Sequence, residues 1–236
     1  MIVRTTGLQN KERELFEDAV LLVDKPSGWT SFDVVNKIRA ATGIRRVGHA
    51  GTLDPLATGL LIVCTGRKTK ELARFTGLDK TYAAVIMLGA TTESYDAAMP
   101  VSNQRDVSGL SEEAIRSAVG SFLGRQMQLP PMWSAVKVGG RRLYRYARKG
   151  QTVTRPPRDI EIHSITVDRI ELPEVAVTVT CSKGTYIRTL AHDIGARLGC
   201  GAYLGGLRRT AIGPFRIEDA ETIQDLINRT APATAQ

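Results

Sequence analysis

Leu60-Leu61-Ile62-Val63-Cys64 is an unbroken apolar run, too short for a typical helix and of the kind that forms a strand buried on both faces. It is preceded by Gly48-His49-Ala50-Gly51-Thr52-Leu53-Asp54-Pro55-Leu56-Ala57-Thr58-Gly59. Three glycines, and a proline that biases Asp54 away from the α region, exclude a regular helix and predict a shaped loop. A carboxylate and an imidazole, Asp54 and His49, are thereby held on a loop anchored by a rigid element, where reactive groups are commonly placed. Asp-Pro also starts ordinary turns, so spacing alone leaves Asp54 open between a catalytic and a structural role.

The chain has 236 residues, enough for one large domain or two small ones with a substantial core. No apolar run approaches the roughly 20 residues of a membrane-spanning helix, and the first residues lack the apolar block of a signal peptide. The three cysteines, Cys64, Cys181 and Cys200, are odd in number and far apart. This argues against a disulfide framework, for a reducing cytoplasm, and against a metal-binding pair. The net charge of +8 has one source. Lys137, Arg141, Arg142, Arg145, Arg148, Lys149, Arg155 and Arg158 occur with no acidic residue among them, while Lys and Arg elsewhere balance Asp and Glu. Tyr144 and Tyr146 interleave them. A solvated charged face is the plain alternative, but the missing acidic partners favour a phosphate backbone with exposed bases.

Ala19 to Lys25 reads as a strand stopped by Pro26. Thr30 and Asp33 form a capping box, Val34, Val35, Ile38 and Ala41 give the following helix its apolar face, and Gly43 ends it. A short helix is expected over Lys68 to Phe75 and a strand over Lys80 to Leu88. Ser111 caps a further helix whose stripe is Ile115, Ala118, Val119 and Phe122. Pro130-Pro131 and Pro156-Pro157 bracket the basic segment, which reads as strand or hairpin through Gly139-Gly140 into a short helix from about Leu143. Ile160 to Ile170 and Val175 to Thr180 alternate as paired strands. Thr185 to Leu198 is expected helical, Leu204 to Phe215 a final strand, Glu221 to Ile227 a closing helix. Residues 1 to 18 read as an irregular lead-in, and the end from Thr230 as frayed. Irregular alternation of strands and helices predicts an α+β fold with a mixed, largely antiparallel central sheet flanked by helices.

The string from Gly48 to Gly59 resembles the signature of the TruB-type tRNA pseudouridine-55 synthases. The resemblance continues through Asp24-Lys25-Pro26-Ser27-Gly28-Trp29-Thr30-Ser31-Phe32-Asp33, Pro130-Pro131-Met132-Trp133-Ser134-Ala135-Val136-Lys137 and Ser182-Lys183-Gly184-Thr185-Tyr186-Ile187-Arg188-Thr189-Leu190, covering most of residues 20 to 215. It implies the pseudouridine synthase fold and isomerisation of a T-loop uridine in tRNA after base flipping. In that pattern Asp54 is the catalytic aspartate, nucleophile or glycosidic-bond stabiliser, and Arg188 pairs with it. Tyr82 stacks on the uracil; His49, Tyr186, Leu207, Lys80 and Asp96 serve substrate binding. Lys137, Arg141, Arg142, Tyr144, Arg145 and Arg148 would hold RNA.

Residues 1–220 are thus expected to form the catalytic domain, with 125–158 an inserted basic RNA-binding lobe and 221–236 a closing helix and tail, leaving no room for a C-terminal PUA domain. No metal or cofactor is implied; the expected partner is the tRNA T stem-loop, with no obligate protein partner, as a monomer. One segment departs from the pattern. Thr91 to Met99 only partly follows the family's Thr- and Asp-rich stretch, although Asp96 matches its later acidic residue. Two other readings remain: an RNA hydrolase using His49 and Asp54 as acid and base, and a non-catalytic RNA-binding or tRNA-folding module.

Overall fold

The computed structural model describes residues 16–229; the lead-in before Phe16 and the tail from Thr230 lie outside it. In chain order the elements are β1 (Val20–Lys25), α1 (Ser31–Thr42), β2 (Val47–Ala50), β3 (Thr58–Thr65), a 3-10 turn (Gly66–Glu71), α2 (Leu72–Gly77) and β4 (Lys80–Leu88). There follow α3 (Glu112–Gly120), β5 (Gly124–Gln128), β6 (Lys137–Val138), β7 (Arg141–Arg142), α4 (Leu143–Ala147), β8 (Arg158–Glu171) and β9 (Glu174–Cys181). The last are α5 (Ile187–Arg197), β10 (Ala202–Ile212), β11 (Phe215–Arg216), a 3-10 turn (Ile217–Asp219), β12 (Glu221–Thr222) and α6 (Ile223–Asn228). They form two compact units, one from Met1–Leu78 with Arg208–Gln236, the other Asp79–Leu207. The fold is α+β with a mixed, largely antiparallel sheet, as the patterning predicts.

In the first unit β3 is central. It pairs antiparallel with β1 and β2, and parallel with β10 through Arg208 and Arg209 opposite Thr58 and Gly59. Alternate residues feed two cores. Leu61 and Val63 pack with Val23, α1 (Val34, Val35, Ile38) and α6 (Ile223, Leu226). Leu60, Ile62 and Cys64 pack on the other face with Ala50, Phe75 and Ile212. This is why five consecutive apolar residues are needed there: neither face of the strand meets water. The α1 cap forms as expected, Thr30 accepting from the Asp33 amide and Asp33 accepting from the Thr30 amide, and Gly43 closes it at φ 71°.

In the second unit β4, β9, β8 and β5 run antiparallel in that order, with α3 packed against β8. The Ser111 cap accepts from the Ala114 amide, and Ile115, Ala118 and Val119 are buried; Phe122 lies beyond the end of the helix and is half-buried.

Several boundaries differ from the sequence reading. Gly48, His49 and Ala50 are strand, not loop, so the loop proper is residues 51–57. Gly48 reads as a breaker but marks close packing: a Cβ there would meet Leu72 Cδ1 at 2.7 Å. Gly124–Gln128 forms β5, an edge strand whose composition carries no strand signal and which exists through pairing with β8. Trp133 to Val136 is not strand; the hairpin is only Lys137–Val138 with Arg141–Arg142. Thr185 and Tyr186 precede their helix rather than open it. Glu221–Thr222 is a short strand parallel to β1, and α6 starts after it.

Candidate active site

Asp54 is half-buried on the 51–57 loop of the first unit. That loop is held from beneath by the segment after β1. Lys25, with no exposed surface, donates from Nζ to the carbonyls of Pro26 at 2.9 Å, Trp29 at 2.6 Å and Pro55 at 3.2 Å. The Gly28 amide donates to the same Pro55 carbonyl at 2.9 Å. Buried Ser31 accepts from the Leu53 amide at 2.9 Å and donates to the Leu53 carbonyl at 3.2 Å. Buried Arg209 completes the frame, donating from Nε to the Leu60 carbonyl at 2.7 Å and from Nη2 to Gly51 at 3.0 Å. Both residues flanking Asp54 are thus tied by hydrogen bonds from another segment.

Charge follows from this burial. Desolvation lowers the Lys25 pKa to about 8, and Asp54 partly opposes the shift by favouring the ammonium. Burial also lowers the pKa of His49, with Arg209 adding in the same direction, so the imidazole is neutral at physiological pH. Its Nδ1 is buried without a hydrogen-bond partner among the described residues. Next to Asp54, Leu56 keeps 46% of its surface exposed.

The second unit carries the remaining expected residues. Lys80 and Tyr82 are buried on one face of β4, opposite Cys181 and Val179 of β9. Arg188, 4% exposed, sits in the first turn of α5, where the helix dipole disfavours a cation. Its compensation within this unit comes from Asp96, whose Oδ2 is 3.4 Å from Nε, and from two carbonyls, Ser94 at 2.8 Å and Trp133 at 3.0 Å. Asp96 is fixed in turn. Its Oδ1 accepts from the Ser94 hydroxyl at 2.6 Å and from the Ala98 amide at 3.0 Å. Asp96, expected from the resemblance to serve substrate binding, is within this unit a carboxylate that meets Arg188.

Tyr186, half-buried, stands at the N-cap of α5 without a side-chain cap. Gln128 pins this residue: its Oε1 accepts from the Tyr186 amide at 2.8 Å and its Nε2 donates to the Tyr186 carbonyl at 3.0 Å. Leu207 is half-buried on β10. The basic segment is presented to solvent, with Lys137, Arg141, Arg142, Arg145 and Arg148 exposed and Tyr144 half-exposed. Arg141 and Arg148 lie over the rings of Tyr146 and Tyr144, 5.3 and 5.4 Å from their centroids. Arg155 donates to the Pro130 carbonyl at 2.5 Å, joining the two proline breaks that bracket the segment. All three cysteines are buried and unpaired.

The description of the TruB family pseudouridylate synthase N-terminal domain matches residues 39–187, and that of the tRNA pseudouridylate synthase B C-terminal domain matches 188–235. This chain belongs to the TruB family of pseudouridine synthases. Enzymes of this family are isomerases, and this chain is one. It is 50% identical over 206 residues to tRNA pseudouridine synthase B of Opitutus terrae, covering 87% of this chain and 86% of that one. With the enzyme of the same name from Chlorobaculum tepidum it is 49% identical over 224 residues, 93% of each. A solved Cbf5-Nop10-Gar1 complex contains a chain 32% identical, matching with a TM-score of 0.73 over 92% of this chain and 56% of that one.

Lys25, Arg209, Gln128 and Ser94 were not anticipated as parts of a TruB site. Lys25 and Ser31 lie inside a motif read as a strand end and helix cap, and their reach to residues 53–55 is tertiary. Gln128 had no signal beyond its place before Leu129-Pro130.

Proposed function

We propose that this enzyme converts a T-loop uridine of tRNA to pseudouridine, with Asp54 as the catalytic residue and Arg188 beside it keeping the carboxylate ionised. The observation that carries the reading is the fixation of the Asp54 loop by Lys25, Ser31 and Arg209. A carboxylate mounted on so constrained a backbone is suited to a single approach to a bound sugar or base. The names of the relatives support the substrate class.

The reaction breaks the N1 to C1′ bond, turns the uracil, forms the C5 to C1′ bond, releases the C5 proton and protonates N1. Asp54 serves as nucleophile or as stabiliser of the glycosidic bond's electron-poor carbon. Extruding the base from the stack costs about a few kcal/mol, and phosphate contacts from exposed Lys137, Arg141, Arg142, Arg145 and Arg148 offset it. Tyr82 offers a ring face to the flipped base, and His49, Tyr186, Leu207 and Lys80 line its surroundings. The basic lobe over 125–158 belongs to a catalytic domain that works as a monomer.

Position is tested by treating an unmodified tRNA transcript with the enzyme and mapping pseudouridine by carbodiimide-blocked primer extension. One stop at the T-loop uridine is expected. Stops at several loops, or none in the T loop, would contradict the assignment.

A further inference from the structure

Helix α5 grips the turn over residues 92–98 at two points. Arg188 meets the Asp96 carboxylate and the Ser94 carbonyl. His192, four residues on and so on the same face of the helix, lies flat against Tyr95, ring centroids 3.9 Å and planes 14° apart. Tyr95 has φ 63°, a left-handed conformation that a bulky side chain holds only when its surroundings enforce it. The backbone around it is committed as well: the Leu204 amide donates to the Tyr95 carbonyl at 2.9 Å, and the Ala97 amide donates to the Leu204 carbonyl at 3.1 Å.

We propose that the stack of His192 on Tyr95 is a positioning device for the isomerisation, holding the left-handed turn that aims Asp96 at Arg188. The inference rests on the reading that Arg188 acts beside Asp54. Burial lowers the His192 pKa, so its ring is neutral at physiological pH, and its Nδ1 is buried with no hydrogen-bond partner among the described residues. The imidazole meets Tyr95 through its ring face. The turn lies in the stretch, Thr91 to Met99, where this chain departs from the family pattern, so a local device is needed to set its shape.

The test compares wild type with His192→Ala, His192→Phe and Tyr95→Gly, each first shown to melt cooperatively. With saturating T-arm RNA in single turnover, His192→Ala should slow isomerisation by about tenfold or more while RNA affinity changes less than about twofold. His192→Phe, which keeps a ring face, should recover most of the rate. Tyr95→Gly relieves the backbone conformation but removes the ring, and should fall with His192→Ala. An unchanged rate in His192→Ala, or equal losses in the Ala and Phe variants, would overturn the proposal. The slowly exchanging Nε proton of Arg188, followed by NMR without RNA, is the second readout. It should persist in wild type and His192→Phe and be lost in His192→Ala. If wild type isomerises nothing, the functional reading fails by itself, and the Arg188 signal still decides the stack: loss only in the variants lacking a ring supports it, and protection in all of them refutes it.

Discussion

Lys25 directs its buried ammonium onto the carbonyl of Pro55, 3.2 Å away, the residue immediately after Asp54. The ammonium also serves two further carbonyls, those of Pro26 and Trp29, so each of its three protons has an acceptor. Replacing Lys25 with Met should remove this donor from the Pro26 and Trp29 carbonyls and leave Pro55 with the Gly28 amide, lower stability by about 1–3 kcal/mol and slow isomerisation without weakening RNA binding. Denaturant melts and single-turnover rates on the same preparations check both.

The same lysine gives a pH signature. Its pKa falls from 10.5 to about 8 on folding. Below about 8 both states hold the proton, and above 10.5 neither does. Between them the unfolded chain binds the extra proton, so the Lys25 contribution to stability rises with pH. The stability of wild type minus that of Lys25→Met should therefore increase from pH 8 toward 10.5, by at most about 1.4 kcal/mol per pH unit. Taking the difference cancels the buried Cys64 and Cys181 thiols, both pushed up to about 11. A flat difference across that range would mean that the amine is not desolvated.

Gly59, the second residue of β3, has φ 100°, and a Cβ there would meet the Arg209 carbonyl oxygen at 2.3 Å and its nitrogen at 2.7 Å. Neither atom is the movable end of a side chain. Gly59→Ala should lower the melting stability by about 2 kcal/mol or more and loosen the base of the Asp54 loop through Arg209. Gly184→Ala, with φ 84° but nothing within 4 Å of the added atom, is the control for backbone conformation alone.

Gln128 satisfies both backbone groups of Tyr186. Gln128→Leu keeps the volume but strands the Tyr186 amide at the start of the helix carrying Arg188, while the Tyr186 carbonyl still accepts from the Leu190 amide. A loss of about 1–3 kcal/mol in thermal or denaturant melts is expected.

For the basic lobe, Arg141→Ala, Arg142→Ala and Arg145→Ala together should weaken RNA binding and flatten its salt dependence, each lost phosphate contact removing somewhat under one unit of slope. The slope of log affinity against log salt for the T-arm stem-loop measures this. An unchanged slope would place the RNA elsewhere.

What the sequence disclosed was governed by locality. The capping box at Thr30 and Asp33, the doubly buried strand at Leu60 to Cys64 and the amphipathic α3 depend on neighbours a few residues away, and all are found as read except Phe122, which lies past the end of α3. Gly124–Gln128 was missed because its strand character is supplied by β8, and Gly48 misread because its glycine serves close approach to Leu72. Asp54, Arg188 and Asp96 were picked out by motif. Their supports, Lys25, Arg209, Ser94 and Gln128, act across sequence separations that periodicity does not encode.

The central claim, that Asp54 performs isomerisation, is tested most directly by tritium release from a T-arm RNA labelled at uracil C5, comparing wild type with Asp54→Asn and checking that the RNA stays whole. C5 gives up its hydrogen only when it becomes the point of attachment. Release by wild type and none by Asp54→Asn, with both binding the RNA equally, is the predicted result. Equal release from the two proteins would contradict the role given to Asp54, and cleaved RNA without release would contradict isomerisation itself.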